Sequence, residues 1–357
     1  MKNKPHKKKS PTLIILLIIA AVIGVGAFGT FGYIHAKLGL MQNNAVPITG
    51  KPTQNIEKTP VPTPSLAPIE GTPDDIDDDI DDQVDLNKVT EEPIYDTDII
   101  DENVVNILIL GEDSRPGEEG QGRSDTIMLL SYNREANKAK LVSFLRDSYV
   151  YIPGHENWNR INTAYRFGGV GLTINTINEN FGLDIKYYII TNFVNMQKIV
   201  DMLGGLELQV TQKEAAYINS SVQVNTLPEE NGTYLLSGEQ VLVHCRNRKM
   251  GDGDWGRTGR QRQVMLAFFN RAKKERSVET LTLLANNLLE YVSTNIDANT
   301  LIKLGIDAVF SDNFELQGRA VPFDGTWKYA TVNGASVIQI DLEANKKLLQ
   351  EYLFDNE

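Results

Sequence analysis

One cysteine, Cys245, and four histidines, His6, His35, His155 and His244, are all the thiol and imidazole that this 357-residue chain contains. A lone thiol excludes an intrachain disulfide, and it excludes a zinc or iron–sulfur centre built on thiolates. The histidines are scattered along the chain, so any metal must be held by hard oxygen ligands. Patterns of the G-x-S-x-G, P-loop and H-E-x-x-H types are missing, which removes the nucleophile elbow, the nucleotide cradle and the zinc-protease helix. Basic residues are outnumbered, 35 Lys and Arg against 47 Asp and Glu, for a net charge of -12. Repulsion at that charge speaks against a nucleic-acid partner, and the aromatic residues form no run that would stack bases.

The average hides a strong division. Residues 1–40 carry six Lys and no acid, residues 70–102 carry fifteen acids against one Lys, and residues 103–357 are left with only -5. All fourteen Arg lie beyond residue 103, and Arg246, Arg248, Arg257, Arg260 and Arg262 fall within seventeen residues. From Leu13 to Ile34 there are 22 residues without a charge, which as a helix would reach about 33 Å against a hydrocarbon core of ~30 Å. Five Lys precede this run and only Lys37 follows it closely. The positive-inside bias therefore predicts residues 1–12 as a cytoplasmic basic tip, 13–34 as an uncleaved transmembrane helix and the remainder as extracellular. Residues 35–102, Pro-rich and then Asp-rich, are predicted to be a disordered linker, because high like charge and low hydrophobicity bury too little surface to fold. The Asp run lacks the sixth-position Gly and closing Glu of a calcium loop.

Residues 103–357 alternate short apolar runs with helical periods and predict one α/β domain. Strands are expected at 104–111, 125–133, 138–147 and 185–192. Helices are expected at 172–181, 193–203, 257–275, 297–310 and 341–354, with another from Ser237, where Gln240 three residues on completes a capping box, to Arg246. The short interval from Asn133 to Lys138 reads as a hairpin, so the central sheet should be mixed.

Two segments carry the charged groups that matter. In LGEDSRPGEEGQGRSDT, one strand runs out into Asp113 and Arg115, and the next opens with Arg123, Ser124 and Asp125. Paired carboxylates at strand edges can hold one hard divalent cation, and guanidinium forks bind phosphate oxygens bidentately; the same residues would also serve as ion pairs at loop ends. In HCRNRKMGDGDWGRTGRQRQV, Arg246 and Arg248 close one helix, while Arg257, Arg260 and Gln261 share a face at the start of the next. Cations at a helix N-terminus oppose its dipole unless an anion sits there; the competing reading is a solvated basic face. Arg146, at a third strand end, adds to the set. Cys245 beside Arg246 reads as a small core residue rather than an activated nucleophile.

In order along the chain, NILILGEDSR, RSDTIMLLSYN, VSFLRDSYVYIPG, NRINTAYRFGG, YYIITNF, IVDMLGGLEL, LSGEQVLVHCRNR and GDWGRTGRQ resemble the motifs of the LytR-CpsA-Psr proteins of Gram-positive cell walls. The departures are Leu145, where many members have Pro, and His244-Cys245, where aromatic and aliphatic residues are commoner. The resemblance implies a three-layer α/β/α domain around a mixed sheet. It also implies a phosphotransferase that moves a glycopolymer, such as teichoic acid or capsule, from undecaprenyl pyrophosphate to peptidoglycan. Carried over by motif, Asp113 and Asp125 would bind Mg²⁺, and Arg115, Arg123, Arg146, Arg246, Arg248, Arg257 and Arg260 with Gln261 would line the pyrophosphate site. Asp125, Arg146 and Arg257 would be catalytic, with Asp125 ahead of Asp147 and Asp254 as general base. The polyprenyl tail would lie in an apolar channel between sheet and helices. A polyprenyl-pyrophosphate hydrolase and a lipid- or polymer-binding regulatory protein of the envelope are the alternatives.

Overall fold

The computed structural model describes residues 45–51, 91–112, 124–155, 157–222, 226–275, 291–297, 300, 304–305, 314–332 and 334–355. The apolar run 13–34, the acidic run 74–85, and Asp113, Arg115 and Arg123 lie outside the described residues. Among the described residues no helix is long and apolar enough to cross a membrane.

In chain order the strands are β1 (Ile48–Thr49), β2 (Ile94–Tyr95), β3 (Val104–Glu112), β4 (Ser124–Asn133), β5 (Lys138–Phe144), β6 (Ser148–Ile152), β7 (Asn157–Arg160), β8 (Tyr187–Asn192), β9 (Leu206–Val210), β10 (Gly232–Leu236), β11 (Ser293–Thr294), β12 (Glu315–Val321), β13 (Trp327–Val332) and β14 (Ala335–Ile340). The helices are α1 (Thr163–Phe181), α2 (Phe193–Met202), α3 (Gln212–Ser221), α4 (Gly238–Arg246), α5 (Gly253–Glu275) and α6 (Leu342–Phe354).

The central sheet has the order β11-β8-β3-β4-β5-β12. β3, β4 and β5 run antiparallel to one another, β4 meeting β5 at the expected Asn133–Lys138 hairpin, while β8 pairs with β3 and β12 with β5 in parallel. Strands this apolar must be covered on both faces. Leu108, Leu110, Ile127, Leu129, Val142 and Phe144 join α1 and α6 on one side; Ile109, Met128 and Leu141 pack against Met265 of α5 on the other. Helices thus cover both faces of a mixed sheet, as expected.

α1 and α5 begin earlier than expected, at Thr163 and Gly253, the sequence reading did not foresee α3, β9, β10 or β12–β14, and most of the helix expected over 297–310 lies outside the described residues. Two further differences remain. The strand expected over 138–147 stops at Phe144, and Ser148 opens β6 of a second sheet, ordered β13-β14-β6-β7. Leu145 to Asp147 form the corner between the sheets, pinned by Leu145 N donating to Val321 O (3.0 Å) and Ile338 N donating to Asp147 O (2.8 Å). The other difference is at the end of the expected linker, where β1 and β2 pair in parallel and Ile94 is fully buried in the main core. Room for this segment comes from the glycines of α1: Gly169 has φ +64°, and a Cβ on Gly171 would stand 1.7 Å from the Glu92 carbonyl oxygen, so no side chain fits there.

α4 begins as the sequence predicts, with Ser237 and Gln240 forming a reciprocal capping box. α3 has the same device in Thr211 and Glu214.

Candidate active site

Asp125, the second residue of β4, is the centre of an ionic cluster at the corner between the two sheets. Arg146 Nη1 donates to its Oδ1 at 2.8 Å. Arg257 Nη1 stands 3.3 Å and Arg248 Nη2 3.6 Å from its Oδ2. Three elements converge here: the corner brings Arg146, the turn after α4 brings Arg248, and the first turn of α5 brings Arg257. Two further carboxylates close the cluster. Asp254 Oδ1 lies 2.5 Å from Arg257 Nη2 and 3.6 Å from Arg146 Nε, and Asp147 Oδ2 lies 3.5 Å from Arg146 Nε. Arg160, at the end of β7, reaches Asp147 at 3.7 Å and donates to Ser336 O at 3.0 Å.

The cluster is largely withdrawn from water: the Arg257 side chain is 3% exposed, and those of Arg146 and Asp125 are 12%. Burial alone would raise the Asp125 carboxyl, but Arg257, Arg146 and Arg248 outweigh it and hold the group below the usual carboxylate range. Burial would likewise discharge Arg146, and Asp147, Asp125 and Asp254 reverse that, keeping it fully charged. Asp147 goes the other way, its pKa raised first by burial, with the Asp254 charge adding to the rise against the pull of Arg146. Arg146 Nε and Arg257 Nε are buried without a hydrogen-bond partner. Arg146 Nε has only long ion-pair contacts with Asp147 and Asp254; a buried donor without a hydrogen bond is costly, and phosphate oxygens would supply one to each.

The remaining predicted residues have separate surroundings. Arg260 is turned into a structural clamp, donating to Asp252 (2.8 and 3.2 Å) and to Asn247 O (2.5 Å), with Glu214 at 3.6 Å. Arg246 lies over the Phe193 ring at 5.0 Å. Gln261 lines an apolar pocket of about 50 Å³ between β3 and β4 on one side and α2, α4 and α5 on the other. Met128, Phe193, Met196, Val241, Val264 and Met265 are among its lining residues, and Cys245 and Thr126 also face it. Burial pushes the Cys245 thiol up to about 12, the environment of an inert core residue. Asp147 and Asp254 entered the sequence reading only as weaker bases and Arg160 not at all. The sole signal for Arg160 was its place in NRINTAYRFGG.

For a metal, Asp125 offers the ionised oxygens that a hard cation needs, although both already face guanidinium groups. Among the described residues no group of three or more His, Cys, Asp or Glu is placed to hold a metal ion.

A model described as the LytR_cpsA_psr family matches residues 70–352. The "Regulatory protein MsrR" of Staphylococcus aureus (strain COL) is 31% identical over 252 residues, 70% of this chain and 74% of the relative. The "Polyisoprenyl-teichoic acid--peptidoglycan teichoic acid transferase TagU" of Oceanobacillus iheyensis is 36% identical over 244 residues, 64% of this chain and 72% of the relative. Among solved structures, the "LytR-CPS2A-psr family protein YwtF (TagT) with bound octaprenyl pyrophosphate lipid" superposes with a TM-score of 0.55 at 25% identity, over 71% of this chain and 91% of that one.

Proposed function

Because the chain belongs to the LytR_cpsA_psr family, we propose that its ionic cluster binds the pyrophosphate of a polyprenyl-linked glycopolymer and transfers the glycan phosphate to peptidoglycan. One observation carries this reading: the site changes from ionic to apolar over very short distances. On β4 the change takes three residues, from Asp125 to Met128, and on α5 two turns, from Arg257 to Val264. An amphiphile with a small polyanionic head and an apolar tail matches that profile, and the relative with bound octaprenyl pyrophosphate is named for such a ligand.

The acceptor hydroxyl attacks the phosphorus that bears the glycan. A new P–O bond forms to the acceptor, the P–O bond to the lipid phosphate breaks, and polyprenyl monophosphate leaves with the electron pair. Arg146, Arg248 and Arg257 stabilise charge on the nonbridging and departing oxygens, so no covalent enzyme intermediate is needed. The hydroxyl proton goes to Asp147, the carboxylate of the cluster whose basicity burial raises; Asp125, held ionised by its arginines, is the weaker acceptor. Mg²⁺, held by Asp125 with Asp113, would supply further neutralisation of the pyrophosphate. Arg115 and Arg123 complete the head-group set, with Arg246, Arg260 and Gln261 supporting its walls. Residues 13–34 anchor the chain as a single span with residues 1–12 in the cytoplasm, and the acidic stretch spaces the domain from the outer membrane face.

The test uses full-length protein, a lipid-pyrophosphate oligosaccharide and peptidoglycan oligomers, with and without Mg²⁺. Glycan joined to the acceptor by a phosphodiester is expected. Release of free sugar phosphate would instead make the protein a hydrolase, and binding without turnover, equal in wild type and Arg146→Ala, would make it a regulator.

A further inference from the structure

Three aromatic rings gather at the N-terminal end of α5, the end of that helix away from the apolar pocket. Trp255 lies in the first turn of α5, between Asp254 and Arg257; its ring centroid is 4.9 Å from that of Trp327, which is 5.1 Å from that of Tyr329. Trp327 and Tyr329 are alternate residues of β13, an edge strand of the second sheet, so they project to one face. Tyr329 is 42% exposed, and Trp255 and Trp327 are half-buried. Trp255 Nε1 is buried without a hydrogen-bond partner. None of the three belongs to the hydrophobic clusters among the described residues.

Their position follows from α5. Along this helix Trp255 comes first, then the ionic Arg257, then Gln261, Val264 and Met265 at the pocket. At ~1.5 Å per residue, Trp255 and Val264 are about 13 Å apart along the axis, with the cluster between them. In-line displacement at phosphorus requires the attacking and leaving oxygens on opposite sides. If the lipid phosphate departs toward the pocket, the nucleophile enters from the side of Trp255.

We propose that Trp255, Trp327 and Tyr329 form the acceptor subsite, a ledge on which pyranose rings of the peptidoglycan strand stack while one hydroxyl points into the cluster. A pyranose has a C–H face and a polar rim, and the rings offer a flat apolar surface to that C–H face. This assignment rests on the transferase reading above.

Steady-state transfer by the full-length protein, with peptidoglycan strands as acceptor, compares wild type with Tyr329→Ala, Trp327→Ala and Trp327→Phe. The acceptor KM should rise about tenfold in the Ala variants, as expected for loss of a ring contact. The donor KM should stay unchanged, and Trp327→Phe should regain most of the loss. Quenching of tryptophan fluorescence by the strands, with no donor present, reads the ledge separately. Normal transfer with an unchanged acceptor KM in both Ala variants overturns the ledge and leaves the transferase standing. A rise confined to the donor KM overturns it also, by giving the rings to the donor glycan. Quenching in wild type that both Ala variants lose, with no transfer by any protein, keeps the ledge and refutes the transferase. Tyr329→Ala, at an exposed position, keeps the test decisive where Trp327→Ala fails to fold.

Discussion

Replacing Asp125 by Asn probes the electrostatic centre of the site. The amide preserves shape and removes the charge, leaving Arg146, Arg257 and Arg248, now within 3.6 Å of a carboxylate oxygen, around a neutral group. At an effective dielectric near 20, one charge pair at ~4 Å is worth about 4 kcal/mol, but desolvation offsets much of that gain. Removing one member of a buried pair costs about 3–5 kcal/mol. Arg146 and Arg257 keep Asp254, and Arg146 also keeps Asp147, which places the expected loss near the low end, ~3 kcal/mol. At about 2–4 °C per kcal/mol, Tm should fall by roughly 6–12 °C. Thermal unfolding with and without inorganic pyrophosphate is the assay, since the anion replaces the missing charge and should raise Tm more in the variant than in wild type. Equal shifts would refute the idea that these arginines are a phosphate site held in reserve by Asp125. Because the folded-state pKa of Asp125 is lowered, its contribution is complete above the unfolded value near ~3.9 and is lost as pH falls through the lower folded value. The variant should lack that acid-side loss, and its transfer rate should drop by about 10²–10³-fold.

Three other outcomes are expected. Asp147→Asn should remove the acid limb of the kcat–pH profile, which in wild type lies above the ordinary carboxylate range because burial raises this group, and lower the plateau by about 10²-fold; a limb that stays in place rejects Asp147 as base. The raised pKa also means that the ionised Asp147 opposes folding, a cost absent below the unfolded value, growing as pH rises from the unfolded value to the folded one and constant above it. Cys245 should resist thiol alkylation until the protein is unfolded, as a mass-spectrometric labelling time course with and without denaturant would show. Ile94→Ala should lower stability by about 2–5 kcal/mol in denaturant titration, since this residue of the expected linker is fully buried.

Much of the fold was legible because its signals are local. The hairpin at Asn133–Lys138, the Ser237–Gln240 cap and the apolar strands of the central sheet each depend on neighbouring residues. The α3 cap was missed, although Thr211 and Glu214 repeat the Ser237–Gln240 spacing. The second sheet was not legible: β6 and β7 are short, and β6 continues directly from a run that resembles one long strand. Only the parallel pairing of Ile338 with Ser148, between residues far apart in the chain, turns the corner there. The strap at residues 91–96 was hidden by its acidic surroundings, and its berth is made by glycines on a distant helix.

By itself, the sequence determined the charge division of the chain, the α/β alternation and which residue types could meet a pyrophosphate. It also marked Arg146, Arg248 and Arg257 as members of that set. Tertiary structure decided which charges face one another. It gathered those three arginines on Asp125, assigned Arg260 to a clamp with Asp252 and Asn247, set Asp147 and Asp254 within the same cluster, and placed an apolar pocket further along α5 and three aromatic rings at the N-terminal end of that helix. Charge type is a property of each residue, whereas pKa, ion pairing and the order of surfaces along α5 depend on burial and distance, which exist only once the two sheets and the helices have packed.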